Sequence, residues 1–154
     1  MKKESKVCIL NAKINDVFSK FMNFKNFEGL VASNEEAAKS ITITENGGIH
    51  IDGNSIVSKL GLTGSNFSWD GEVKAIISRE DYKEIQYSLK GTGLNSGTIW
   101  LQMLPEGNDK TKIRVVLDIN INRFSTIGIF LSLAPDTQIQ EAVDQIPEFI
   151  SKWY

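Results

Sequence analysis

The sequence contains very little cysteine, histidine and proline. One cysteine, one histidine and three prolines occur in 154 residues. Because Cys8 is the only cysteine, an intrachain disulfide and a cysteine-rich metal site are excluded, and a reducing compartment is compatible with this composition. His50 is the one possible base for a Ser-His-Asp or Cys-His catalytic arrangement. The sequence therefore assigns no metal ligand, no cofactor and no catalytic residue, and we expect a cytoplasmic protein.

The sequence also lacks an excess of positive charge and any apolar run long enough to cross a membrane. Seventeen Lys and Arg residues stand against nineteen Asp and Glu residues, so the formal net charge is −2. Since nucleic-acid binding calls for a basic patch or stripe, we expect no nucleic-acid partner. Residues 124–134 are uncharged and apolar, but a bilayer span needs roughly 20 residues. We therefore expect buried core there and no integral membrane segment.

The residues that are present fit an ordinary globular domain. Hydrophobic residues make up 41% and charged residues 23% of the chain, which separates it from disordered sequences. A chain of 154 residues can bury a substantial core as one unit. We therefore expect residues 1–154 to form a single domain.

Alternating apolar and polar residues predict a series of antiparallel strands. Strands are expected at residues 6–12, 40–45, 48–53, 67–77, 85–89, 98–104 and 113–121. The Asn-Gly-Gly run at residues 46–48 predicts a hairpin, because Asn and Gly accept positive φ. Trp69, Val73, Ala75 and Ile77 are expected on one face of their strand. Since no helix separates these strands, the pattern favours an antiparallel meander over a parallel sheet.

Helical spacing marks two regions of the chain. After the first strand, residues 16–24 have one apolar side, Asn15 is the expected N-cap, and residues 27–31 add a second short turn. Residues 137–153 form an amphipathic helix, and its apolar stripe must be buried against the sheet. A preceding helix from about Ser125 is expected to break near Pro135 and to resume after a Thr137/Gln140 capping box, with a milder bend at Pro147.

This order of elements resembles the helix-grip superfamily, also called START-like or Bet v 1-like (SRPBCC). The chain is similar to small bacterial members labelled polyketide cyclase/dehydrase-like, and the resemblance covers its whole length. Its local marks are Ile14-Asn15-Asp16-Val17-Phe18 after the first strand and Asp118-Ile119-Asn120-Ile121-Asn122-Arg123-Phe124 at the end of the last. Arg123 stands where related sequences often carry proline, which leaves the start of the next helix less constrained.

The resemblance implies an α+β fold in which a curved antiparallel sheet of about six to seven strands wraps around the C-terminal helix. It also implies non-catalytic binding or carriage of a small hydrophobic molecule, such as a lipid, isoprenoid or polyketide-like compound, in a cavity between sheet and helix. The inward phase of the strands and the helix stripe predict the lining. The predicted cavity residues are Trp69, Val73, Tyr87, Leu89, Leu101, Val115, Leu117, Ile119, Arg123, Ile139, Val143 and Ile146.

Several interpretations stay open at this point. Trp69 and Tyr87 also fit a filled core, with the phenol bonded to backbone. A cyclase- or hydrolase-like enzyme would need an inward acid or base, for which Tyr87, Arg123 and Glu45 are the candidates. A protein-interaction domain, as in chaperone-binding relatives, would need an exposed apolar patch, around Trp100 on the outer face or at residues 56–62. The sequence does not predict the oligomeric state.

Four reactive side chains are expected to lie outside any site. His50 lies between two isoleucines, so its side chain is expected on the solvent face of its strand. Asp70 and Glu72 share the face opposite Trp69, and a solvated pair is the favoured interpretation. Cys8 lies in an apolar strand, where a buried and unreactive thiol is expected.

Overall fold

A computed structural model describes residues 1–23, 41–43, 47–52 and 67–152 of the chain. The described strands are β1 (Lys2–Glu4), β2 (Cys8–Leu10), β3 (Ile41–Ile43), β4 (Ile49–Asp52), β5 (Ser68–Ser78), β6 (Lys83–Gly91), β7 (Leu94–Glu106) and β8 (Lys110–Ile121). The described helices are α1 (Ile14–Met22), α2 (Thr126–Leu133) and α3 (Asp136–Ser151).

All described strands join one curved antiparallel sheet. Its order is β1-β8-β7-β6-β5-β4-β3, and β2 also pairs with β8. Because β1 and β2 lie one after the other along β8, the eight strands occupy seven positions across the sheet. β3 and β4 pair antiparallel as the predicted hairpin requires, and Gly47 has a φ of 76°, while Asn46 lies outside the described residues. The predicted α+β helix-grip architecture, with a meander and a C-terminal helix, is confirmed.

One strand was predicted at residues 6–12, whereas the structure has two short strands beside β8: β1, which ends at Glu4, and β2, which begins at Cys8. The Ser5 amide donates to the Val115 carbonyl oxygen at 2.8 Å, while its hydroxyl oxygen accepts from the Val115 amide at 2.9 Å. The hydroxyl thus replaces a backbone acceptor where the strand departs from β8. The prediction of a strand over residues 6–12 was only partly correct. Alternation of apolar and polar residues does not show where a serine hydroxyl can replace a backbone acceptor in the pairing of two strands.

One face of the sheet, called the inner face here, carries the helices and the core. Its side chains from β6, β7 and β8 follow the period of two expected for strands. Nearly all are fully or almost fully buried: Ile85, Tyr87, Leu89, Ile99, Leu101, Met103, Ile113, Val115, Leu117 and Ile119. The opposite, outer face is mostly polar, which matches the one-faced antiparallel sheet predicted from the alternation.

A β-bulge in β5 reverses the expected phase of its second half. Val73 pairs with Tyr87, but the next pair joins Ala75 to Gln86, so one residue is inserted between them. After the bulge, Ile76 pairs with the inner-face residue Ile85. The prediction that Val73, Ala75 and Ile77 share one face was therefore wrong, since an inserted residue moves every later side chain to the other face.

Helix α1 packs on β7 and β8 with Val17 and Phe21 buried beneath it. It begins at Ile14 after Lys13, which has extended backbone and makes no side-chain capping bond. The prediction of Asn15 as N-cap was therefore wrong by two positions, since Asn15 lies inside the first turn. The second short helix predicted at residues 27–31 lies outside the described residues.

The predicted interruption between the last two helices is confirmed. Ser125 caps α2, because its hydroxyl oxygen accepts from the Gly128 amide at 2.9 Å. The backbone is extended at Ala134, and α3 begins directly after Pro135. Thr137 lies inside α3, so the predicted capping box with Gln140 was wrong. None of the described helices is long and apolar enough to cross a membrane.

Helix α3 packs on β8, β1 and β2, at one end of the sheet. Two polar contacts fix its position at the break between β1 and β2. The Asp144 carboxylate accepts from the Lys6 amide at 2.7 Å, and the Gln140 side-chain amide donates to the Glu4 carbonyl oxygen at 2.7 Å. Gln140 is therefore used for docking rather than for capping. None of the described helices packs extensively on β4, β5 or β6.

Candidate functional site

The structure divides the predicted cavity residues into two groups and leaves one apart. The first group lies beneath or on α3. Val115, Leu117, Ile119, Val143 and Ile146 belong to or pack against the core, and Ile139 is partly buried. The second group lies on β5 and β6 and belongs to or packs against the same core: Trp69, Val73, Tyr87 and Leu89. Leu101 on β7 lies between them. Arg123 is exposed in the turn before α2, so it does not lie with the other predicted cavity residues.

The inner face of β5 and β6 is tightly filled at the end near the β6–β7 turn. Leu89 is 1% exposed and lies between two glycines. A Cβ added at Gly71 would lie 3.2 Å from Leu89 Cδ2, and one added at Gly97 would lie 3.0 Å from Leu89 Cβ. The Trp69 indole N–H donates to the Thr92 carbonyl oxygen at 2.9 Å. Trp69 therefore serves as packing and as an anchor for the turn, and its donor is already used.

The same face is accessible at the other end of β5. Val73 is only partly buried, and Ile76 is 47% exposed although its cross-strand partner Ile85 is fully buried. An isoleucine on the inner face of a sheet is normally covered. This exposed apolar side chain therefore marks the place where the inner face of β5 opens to solvent, beside the buried inner-face residues of β6.

Tyr87 lies between the filled and the open ends. Its side chain is almost completely buried, and this burial raises the pKa of its phenol to about 12. The phenol is therefore protonated at neutral pH and can donate a hydrogen bond. Within the part of the chain that the structure describes, no hydrogen-bond partner of the hydroxyl is present, so the predicted alternative of a phenol bonded to backbone is not seen there.

Lys83 is a polar inner-face residue that the sequence analysis missed. It is 7% exposed, its Nζ donates to the Ser78 hydroxyl at 2.8 Å, and Nζ lies 5.3 Å from the centre of the Phe18 ring. The signal was available, because Lys83 has the same phase along β6 as Ile85 and Tyr87. A lysine at the start of a strand is usually expected to be exposed to solvent, and for that reason Lys83 was not predicted to face inward.

The other reactive side chains lie away from this surface. His50 is on the outer face, half-exposed, with Nδ1 2.6 Å from Oδ1 of the exposed Asp70. Burial, and secondarily the carboxylate of Glu148, raise the pKa of the half-buried Cys8 thiol, which lowers its reactivity. Among residues 1–23, 41–43, 47–52 and 67–152, no three His, Cys, Asp or Glu side chains are grouped as a metal site requires.

Around Trp100, the described residues of the outer face do not form the exposed apolar patch that a protein-interaction domain would need. Trp100 is half-buried between the strand partners Gln86 and Val116. A depression of about 410 Å³ also lies on this side, and polar residues such as Ser96, Thr98, Asp118 and Asn120 line it. It is therefore separate from the predicted space between sheet and helix. The other predicted patch, at residues 56–62, lies outside the described residues.

Comparison with known proteins shows the fold. No protein-family model matches the sequence, and no curated protein matches it significantly. Among solved structures, a START superfamily protein from Mycobacterium smegmatis is similar with a TM-score of 0.53 and 14% identity, over 99% of this chain and 92% of that chain. The Zhui aromatase/cyclase from Streptomyces sp. R1128 is similar with a TM-score of 0.58 and 12% identity, over 99% and 90%.

A third similar structure is norcoclaurine synthase from Thalictrum flavum in complex with dopamine and hydroxybenzaldehyde. Its TM-score is 0.56 at 14% identity, over 99% of this chain and 86% of that chain. Sequence identities this low show that the backbone architecture is shared. They do not show that the sites share their chemistry, which depends on the residues of each protein. Together with the strand order and the C-terminal helix, these similarities show that the chain has the START-like, Bet v 1-like helix-grip fold.

Proposed function

We propose that this protein binds or carries a small apolar ligand on the inner face of β5 and β6. The observation that carries the proposal is Ile76, an inner-face side chain that is 47% exposed beside the buried Ile85. Helix α3 packs at the other end of the sheet, and none of the described helices packs extensively on β5, where Ile76 is exposed. An apolar surface with few polar groups is the usual form of a small-molecule site.

The ligand class follows from the chemistry of this surface. Its apolar side chains suit a lipid, isoprenoid or polyketide-like compound, and Tyr87 offers one donor to orient it. The similar structures include proteins named as a START superfamily protein and as an aromatase/cyclase, which supports a ligand-binding use of the fold. We also propose that residues 1–154 act as one domain and that the protein works in the reducing cytoplasm.

A cyclase-like activity is the second candidate, and the inward hydroxyl of Tyr87 is the observation that favours it. Of the three residues considered from sequence, Arg123 is exposed and Glu45 lies outside the described residues. Since burial raises the pKa of Tyr87 to about 12, this phenol acts as a hydrogen-bond donor or an acid rather than as a base. Binding without catalysis is therefore the leading proposal.

Two neighbouring isoleucines allow a matched test of ligand binding. Ile76→Trp adds bulk at the opening on the inner face, and Ile77→Trp adds the same bulk on the outer face of the same strand. Titration with a neutral polarity-sensitive dye such as Nile red should show about tenfold weaker binding for Ile76→Trp, which corresponds to about 1.4 kcal/mol. Ile77→Trp should bind the dye within about twofold of the wild type, since the outer face lies outside the site.

Circular dichroism on both variants shows whether the fold is retained. The proposal is contradicted if the wild type does not bind the dye, or if both tryptophan variants weaken binding equally.

A further inference from the structure

The ammonium group of Lys83 lies in an unusual environment on the inner face. Lys83 is 7% exposed, and among the described residues its Nζ donates to the Ser78 hydroxyl at 2.8 Å and lies 5.3 Å from the centre of the Phe18 ring. Within the described ranges, no carboxylate lies within ion-pair distance of Nζ. Two other lysines of the sheet differ in this respect, since Lys3 pairs with Asp136 at 3.1 Å and Lys112 pairs with Glu106 at 2.8 Å.

Burying a charged amine is costly, because protein groups must replace the water that solvated it. One hydroxyl acceptor and one aromatic face replace only part of that solvation. An ammonium has three N–H donors, and the described residues supply an oxygen acceptor for one of them. The group is therefore suited to a further anionic acceptor, and the neighbouring Ile76 shows that small molecules can reach this part of the inner face.

We propose that Lys83 binds the carboxylate of an amphipathic ligand whose apolar part lies over the accessible inner-face side chains Ile76 and Val73. This rests on the proposed function, since it identifies the polar end of the ligand in the same site. Lys83 and Tyr87 are four residues apart on β6, which places their Cα atoms about 13 Å apart. A ligand of that length can place its carboxylate at the ammonium and its apolar chain as far as Val73, the strand partner of Tyr87. The class is a fatty acid or another apolar carboxylic acid.

The test compares decanoic acid with methyl decanoate, which has the same chain and no charge. Isothermal titration should show that the wild type binds the acid about tenfold or more tightly than the ester, because a charge-assisted hydrogen bond is lost in the ester. Lys83→Met should abolish this preference, and Lys83→Arg should keep most of it. Lys90→Met is the matched control, since Lys90 lies on the same strand and is exposed on the outer face, and it should keep the full preference.

The outcomes separate this inference from the proposed function. If the wild type binds acid and ester equally, the role of Lys83 is overturned while ligand binding stands, and this result does not depend on any variant folding. A preference that survives in a folded Lys83→Met variant overturns it as well. If the wild type binds neither compound, the carboxylate site is overturned, and failure to bind Nile red as well would overturn the proposed function.

Discussion

At the scale of single residues, Glu84 shows how a carboxylate can be buried on the outer face of an open sheet. It accepts hydrogen bonds from the Tyr82 hydroxyl, from Gln86 Nε2 at 2.6 Å and from Gln102 Nε2 at 2.9 Å. The Gln102 amide oxygen in turn accepts from Arg114. Burial alone would raise the pKa of Glu84, but the three donated hydrogen bonds outweigh burial and lower it. Long polar neighbours thus cover this charge without apolar packing.

Replacement of this carboxylate should change stability in a pH-dependent way. A carboxyl whose pKa is lower in the folded state stabilises the fold above its unfolded pKa, and this contribution is lost as the pH falls through the folded value. Glu84→Gln should therefore lower the free energy of unfolding by about 1–3 kcal/mol at pH 7. The difference from wild type should shrink as the pH falls below the ordinary pKa of 4.5.

Urea denaturation at pH 7 and at acidic pH measures this difference. The control is Glu106→Gln, which removes a half-exposed pair with Lys112 and should cost about 0.5 kcal/mol or less. A Glu84→Gln penalty that is equal at both pH values would contradict the assignment.

At the scale of elements, the position of α3 is set by polar contacts as well as by its apolar stripe. Val143 and Ile150 are buried, which gives the helix its apolar contact with the sheet. Apolar contact is non-directional, so it does not by itself fix how far the helix slides along β8. The bond from the Lys6 amide to the buried Asp144 carboxylate is directional, and it holds α3 at the break between β1 and β2.

Loss of this contact should destabilise the docking of α3. Asp144→Ala leaves the Lys6 amide without its acceptor, so we expect the free energy of unfolding to fall by about 1–3 kcal/mol. Asp144→Asn keeps an acceptor oxygen and should recover much of the loss. Glu141→Ala, an exposed position on the same helix, should change stability by about 0.5 kcal/mol or less. Chemical denaturation followed by circular dichroism gives these values, and equal effects of Asp144→Ala and Glu141→Ala would exclude the proposed docking role.

At the scale of the whole molecule, much of the architecture could be predicted because it depends on periodicity. Strands with a period of two, followed by a helix with a stripe containing Val143 and Ile150, specify a one-faced sheet with a late helix. Details that depend on one inserted or substituted residue could not be predicted. The bulge in β5 has no marker in the sequence, and the break between β1 and β2 depends on the Ser5 hydroxyl replacing a carbonyl.

The candidate site was predictable only in part for the same reason. Tyr87 and Val73 were assigned to the inner face correctly, since they precede the bulge or lie on an uninterrupted strand. Ile76 was missed because the bulge exchanges its face with that of Ile77. The apolar stripe of α3 does not show which strands the helix covers. Strands beneath a helix and strands beside an open surface have the same alternation of apolar and polar residues.

The most direct test of ligand binding on the inner face of β5 and β6 is a methyl NMR titration with decanoic acid. We expect the methyl resonances of Val73, Ile76 and Ile85 to shift together and to saturate with one binding constant. Methyl resonances of the outer-face residues Leu104 and Val116 should stay unchanged. An absence of shifts, or shifts confined to Leu104 and Val116, would contradict the account.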